Sequence, residues 1–118
     1  MKHFVAVFTG TKEGRERWQQ RFADPKKREA EERKGMDAWK KWADEYGDAI
    51  VEGGGPLGKT KRVSKQGVED TSNNLAAFTI VEAESQEEAA KMFLDHPHFA
   101  IFPGEAVEVM EVLPIPRH

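Results

Sequence analysis

The chain has 118 residues, enough for one domain with a real core and too few for two. A third of it is charged and the formal net charge is −3, a soluble composition that singles out neither nucleic acid nor membrane as a partner. There is no cysteine, which excludes disulfides, thiol catalysis and thiolate metal sites. No stretch approaches the ~20 apolar residues of a membrane helix. The apolar run in "MKHFVAVFTG" is too short for the core of a signal peptide, so a cytoplasmic location is expected.

"HFVAVFT" (3–9) predicts a strand whose two faces, Phe4, Ala6, Phe8 and His3, Val5, Val7, Thr9, are both largely apolar, as in a strand covered on both sides. "KEGRERWQQRF" then carries Trp18 and Phe22 four residues apart, a short amphipathic turn or two. In "DPKKREAEERKGMDAWKKWADEYG", Asp24 is the expected N-cap and Pro25 the first helical residue. Met36, Trp39, Ala43 and Tyr46 form its buried stripe with Trp42 beside it, and Gly47 is the expected C-cap. The first half of that helix is nearly all charge and is expected to face solvent, so that residues 12–35 form a charged helical elaboration of a single domain spanning 1–118.

"AIVEGG" (49–54) reads as a short strand, "GPLGKTKRVSKQGVE" as a turn and a polar, basic hairpin, and "TSNN" as a loop. "LAAFTIVEA" (75–83) is the clearest central strand. Ser85 with Glu88 forms a capping box that opens "QEEAAKMFLD", with Ala89, Ala90, Phe93 and Leu94 as its buried side and Pro97 as its stop. The last strand, 106–115, alternates Val107 and Val109 with Glu108, Met110 and Val112. The order is βαββαβ: an α+β, ferredoxin-like arrangement with an antiparallel sheet and helices on one face. The other face needs a cover, and an isologous homodimer packing sheet on sheet supplies one.

"GGGPLGKT" (53–60) matches the phosphate-loop pattern, with Lys59 and Thr60 in the lysine and hydroxyl positions. The helix that should follow and aim its N-terminus at the phosphates is missing, because "TKRVSKQGVED" has no helical stripe. No aspartate closes a following apolar strand. The match reads as an accident of a tight turn, in which Gly54 and Gly55 allow unusual dihedrals and Pro56 fixes the exit.

Three segments carry a resemblance: "GGGPLGKT", "FTIVEAESQEEAAKMFLDHPHF" and "GEAVEVMEVLPI". In that order they resemble the YCII-related family, small dimeric α+β barrels of ferredoxin-like topology. The resemblance implies a cleft in each subunit near the end of the second helix and the Gly-Pro turn, and in some members a His–Asp pair. Asp95 and His96 match the corner of that pair and are the catalytic candidates the resemblance implies. The partner histidine that some members carry near the first helix has no counterpart, since that segment offers Trp39 and Trp42 but no histidine.

"DHPHF" (95–99) is the one cluster suited to acid–base work, because histidine titrates near neutrality and a neighbouring carboxylate can raise its pKa. Against this, adjacent helical side chains do not face each other, so Asp95 also reads as a helix-end residue. His96 equally reads as a cation at a helix C-terminus. Gly55, Pro56, Trp39, His98 and Glu108 are the ligand-binding candidates. Glu108 is a carboxylate on a strand face that the dimer would cover, although it also suits a sheet rim, and Trp39 and Trp42 are spaced as core anchors. No metal site is announced, since His96 and His98 would need Glu105 or His3 brought in by folding. No cofactor is implied. His118, at the chain end, is expected to be disordered. The reading is a homodimeric small-molecule binder, or a modest enzyme with weak acid–base catalysis, whose cleft lies near the Gly-Pro turn and the Asp-His-Pro corner; the alternative is a non-catalytic dimeric interaction module.

Overall fold

The computed structural model describes residues 1–116, so His118 lies outside the described residues. The elements run β1 (Lys2–Thr9), α1 (Lys12–Arg21), α2 (Pro25–Glu45), a 3-10 turn (Gly47–Ala49), β2 (Ile50–Pro56), β3 (Thr60–Ser64), β4 (Gly67–Thr71), β5 (Leu75–Ala83), α3 (Gln86–Lys91), α4 (Pro97–Ala100) and β6 (Ala106–Glu111). Four strands form an antiparallel sheet in the order β2-β5-β1-β6, and β3 pairs with β4 in a separate hairpin. Removing the hairpin leaves the ferredoxin-like α+β order.

Alternate residues of β1 set the core. Phe4, Ala6 and Phe8 are buried, and they stand opposite Val81, Thr79 and Ala77 of β5. Opposite Ala6 and Phe8 on the other side lie Val109 and Val107 of β6. Cross-strand partners share a face, so these side chains make one apolar surface. Trp42 from α2, Ala89 from α3 and then Met92 and Phe93 close over it. The opposite face carries Val5, Val7, Ile80 and Met110, which are half-buried or exposed in the single chain. Both faces of β1 are apolar, but the chain itself covers only one.

Caps set the helix boundaries. The Thr11 hydroxyl accepts the Gly14 N–H at 3.0 Å, Asp24 accepts the Lys26 N–H at 2.9 Å ahead of Pro25, and Ser85 accepts the Glu88 N–H at 3.2 Å. Each uses a side-chain oxygen to satisfy an otherwise orphaned first-turn donor.

Several expectations need correcting. In α2 the fully packed residue is Trp42, whose indole N–H donates to the Met92 carbonyl at 2.7 Å, while Met36 is 62% exposed. Tyr46 takes the C-cap position, and Gly47 opens the 3-10 turn. The last strand ends at Glu111, and residues 112–116 are exposed. α3 stops at Lys91; Ala89, Met92 and Phe93 are buried, while Ala90 and Leu94 are exposed. The chain then turns through Asp95 at φ 55°, a left-handed conformation that aspartate tolerates better than most side chains. Pro97 does not stop that helix. It begins α4, at the first-turn position where its missing N–H does no harm.

Candidate functional site

The reversal at Asp95 carries the chain back under the sheet and buries two histidines beneath Phe8. His96 is the N-cap of α4: its Nδ1 accepts the His98 backbone N–H at 3.0 Å. An atom that accepts carries no proton, so neutral His96 bears its hydrogen on Nε2. That nitrogen is sealed from solvent without a hydrogen-bond partner. Its surroundings are aromatic: the rings of Trp39, Trp42 and Phe8 lie 4.5, 4.6 and 5.1 Å from the imidazole, centre to centre, at steep interplanar angles. Burial in this shell, with His98 adding a smaller unfavourable charge interaction, pushes the His96 pKa down to about 4. His96 is therefore a neutral, buried cap. It is not a cation at a helix C-terminus.

The ring of His98 runs the other way. Its Nε2 lies 2.7 Å from the Thr9 carbonyl, which can only accept, so Nε2 holds the proton and Nδ1 is bare. Burial lowers its pKa below the usual histidine range, while the Thr9 hydrogen bond pulls weakly the other way. The close approach depends on Gly104, where a Cβ would fall 2.3 Å from His98 Nε2 and equally close to the His98 carbonyl. Gly104 also donates its N–H to that carbonyl at 2.8 Å. The Thr9 carbonyl takes a second hydrogen bond from the Glu105 N–H at 2.8 Å, so both its lone pairs are used.

Beside this pair opens a cavity of about 490 Å³ between α2 and the β2–β5 edge of the sheet. α2 supplies Trp39, Trp42 and Ala43; β2 supplies Gly53, Gly55 and Pro56; β5 supplies Phe78 and Thr79. Phe8, Phe102 and His98 complete the wall. Thr79 donates its hydroxyl to the Glu52 carbonyl at 2.9 Å, where the β2–β5 register is broken. Phe102 reaches its place because Gly35 has no side chain: a Cβ there would sit 2.5 Å from the Phe102 ring. The size and the mostly apolar lining are those of a small-molecule site.

Of the residues singled out from the sequence, Trp39, Gly55, Pro56 and His98 line this one cavity. His96 lies behind it, within the aromatic shell. Asp95 is exposed at the turn, and no hydrogen bond or ion pair joins it to His96, so the two do not form a dyad. Glu108 is exposed and sits opposite Val7 on the other face of the sheet. Sequence reasoning missed Phe8, Phe78, Thr79 and Phe102, which converge from three separate segments without any local signal. The phosphate-loop residues do not make an anion cradle. Gly53–Pro56 is strand, and Thr60 opens another strand where a helix would be required. A separate open hollow of about 750 Å³ beside Lys59 is walled by exposed hairpin residues. Among the described residues no group of three or more histidine, aspartate or glutamate side chains could hold a metal ion. No described helix is long and apolar enough to cross a membrane.

Fold and site thus define a ferredoxin-like α+β protein with an aromatic cavity on the helix side of its sheet. No family model matches the chain, and no curated protein does. Among solved structures it is similar to 5-chloro-2-hydroxyhydroquinone dehydrochlorinase (TftG) from Burkholderia phenoliruptrix AC1100, in complex with 2,5-dihydroxybenzoquinone. The TM-score is 0.53 at 18% identity, over 92% of this chain and 90% of that one. At that identity the likeness shows the shared fold and nothing finer.

Proposed function

We propose that this protein binds a small, flat, largely apolar molecule in the cavity between α2 and the β2–β5 edge. The observation that carries the reading is the cavity itself, about 490 Å³ walled by aromatic rings with one imidazole among them. Two further facts support it. The structural neighbour, a chain of the same fold, is a dehydrochlorinase seen with a single-ring quinone. The three segments that resemble YCII-related proteins imply a cleft near the Gly-Pro turn, where Gly55 and Pro56 stand on the wall. Any weak acid–base chemistry here belongs to His98, because His96 is walled off and Asp95 points to solvent.

A thermal-shift screen of small aromatic metabolites tests the reading. A compound at a hundred times its dissociation constant stabilises the fold by about 2.7 kcal/mol, a rise of several degrees. Ala43→Phe, which fills the cavity from α2, abolishes that rise if the site is the one described. A rise that persists in Ala43→Phe, or no rise with any compound, counts against it.

A second reading, a homodimeric interaction module, is favoured by one observation: the uncovered sheet face bearing Val5, Val7, Ile80 and Met110. A second copy packing on that face buries it as a sheet-on-sheet core does. Sedimentation equilibrium distinguishes this from a monomer, and Val7→Lys on that face should dissociate the pair. Both readings hold together if the dimer forms and the cavity binds.

A further inference from the structure

Resting on the reading that this cavity is the binding site, we infer the class of its ligand: an uncharged, flat molecule that donates a hydrogen bond, through a hydroxyl or N–H, to the wall formed by His98 and Thr79.

Besides the indole N–H groups of Trp39 and Trp42, the latter spent on the Met92 carbonyl at 2.7 Å, two side chains on the cavity wall carry hydrogen-bonding groups, His98 and Thr79. Both have already given their hydrogens to the protein. His98 Nε2–H is spent on the Thr9 carbonyl at 2.7 Å, and the Thr79 hydroxyl hydrogen on the Glu52 carbonyl at 2.9 Å. What remains for a ligand is the Nδ1 lone pair of His98 and the oxygen lone pairs of Thr79. His98 and Thr79 accept; they do not donate.

Next to the wall, the Gly54 N–H is taken by the Glu52 carboxylate at 3.1 Å. The Thr9 hydrogen bond holds the imidazole in this orientation, with its Nε2–Cε1 edge packed against the backbone at Gly104 and away from a donor role toward the ligand.

Charge makes the same selection. In a chain one third charged, the cavity wall carries no aspartate, glutamate, lysine or arginine. A carboxylate or phosphate there would be desolvated with no cation and would face lone pairs, a combination that costs several kcal/mol. A cationic ligand gains the lone pairs but loses its hydration without a countercharge. A neutral donor satisfies the wall at no such cost, and its ring stacks among Trp39, Phe78 and Phe102.

Isothermal titration with three size-matched probes tests the inference on the unmodified protein: 2-naphthol, 2-methoxynaphthalene and 2-naphthoate. The expected result is that 2-naphthol binds at least ten-fold tighter than either of the others, and that Ala43→Phe removes its binding. Equal affinity for 2-methoxynaphthalene would overturn the donor requirement while leaving the cavity as the site. Equal or tighter binding of 2-naphthoate would overturn the charge selection, again without touching the site. Absence of binding by all three, or binding that survives in Ala43→Phe, would overturn the site and the ligand class together. In His98→Phe, which keeps a ring but removes Nδ1, the preference for 2-naphthol over its methyl ether should fall to within about two-fold. A preference kept in full would remove His98 from the role.

Discussion

Acid should destabilise this protein through His96, and the size of the loss follows from its burial. In the folded chain the imidazole stays neutral down to about pH 4, because desolvation among the rings of Trp39, Trp42 and Phe8 opposes its charge. In the unfolded chain it takes up a proton near pH 6.5. Between those values the unfolded state binds more protons, so stability falls as the pH falls. Above about 6.5 neither state is protonated there and nothing is lost; below about 4 both are, and the loss is complete. At about 1.4 kcal/mol per pH unit, that window is worth on the order of 3 kcal/mol, a large share of the ~5–15 kcal/mol that holds a typical domain together. His98 is lowered as well and adds to the loss with the same sign.

The assay is urea unfolding followed by tryptophan fluorescence at a series of pH values from neutral to acid. The control is His96→Asn, which keeps an acceptor at the N-cap of α4 and cannot titrate. It should be less stable at neutral pH by roughly 1–3 kcal/mol, since asparagine does not fill the aromatic shell. Its stability should nonetheless fall more shallowly with acid than that of the parent. If both proteins lose the same stability over that pH range, His96 does not stay neutral in the fold and the reasoning fails.

Three further substitutions, two of them at close contacts, have definite expected outcomes. Gly104→Ala should break the His98–Thr9 hydrogen bond and destabilise by about 1–3 kcal/mol, with the His98 ring proton signals shifting in the NMR spectrum. Gly54→Ala should destabilise by about 2 kcal/mol or more, because Gly54 sits at φ +65° with the Phe78 carbonyl 2.0 Å from where a Cβ would lie; Gly53→Ala, which meets nothing within 4 Å, serves as its control. Lys59→Ala should leave stability within about 0.5 kcal/mol, with or without Mg²⁺-ATP, since Lys59 is an exposed loop residue with no helix behind it.

The topology was legible because each element carries its own local signal. Strands β1 and β5 announce themselves as runs of β-branched and aromatic residues, and Asp24–Pro25 and Ser85–Glu88 mark helix starts by the chemistry of their side chains. The same logic was available at His96–Pro97–His98, where an acceptor precedes a proline at the first helical turn, as at Asp24–Pro25. It was missed because imidazole is an uncommon cap and proline also ends helices. That single reversal decides the site: it puts His96 in the core, His98 on the cavity wall and Asp95 in solvent. Met36 and Trp42 lie six residues apart, about 1.7 helical turns, and the apolar period alone does not rank their burial. Phe8, Phe78 and Phe102 come from distant segments, and only the register of β1 on β5 and the gap at Gly35 bring them together.

The most direct test of the binding site uses the three tryptophans as reporters. Trp39 and Trp42 stand on the cavity wall, whereas Trp18 packs on Phe22, donates its indole N–H to the Ile101 carbonyl at 3.0 Å and does not line the cavity. With 5-fluorotryptophan incorporated, titration with 2-naphthol should move the ¹⁹F resonances of Trp39 and Trp42 together along one binding curve and leave Trp18 in place. Movement of Trp18 alone, or of none of the three at saturating 2-naphthol, would contradict the claim that this cavity is where the protein binds its ligand.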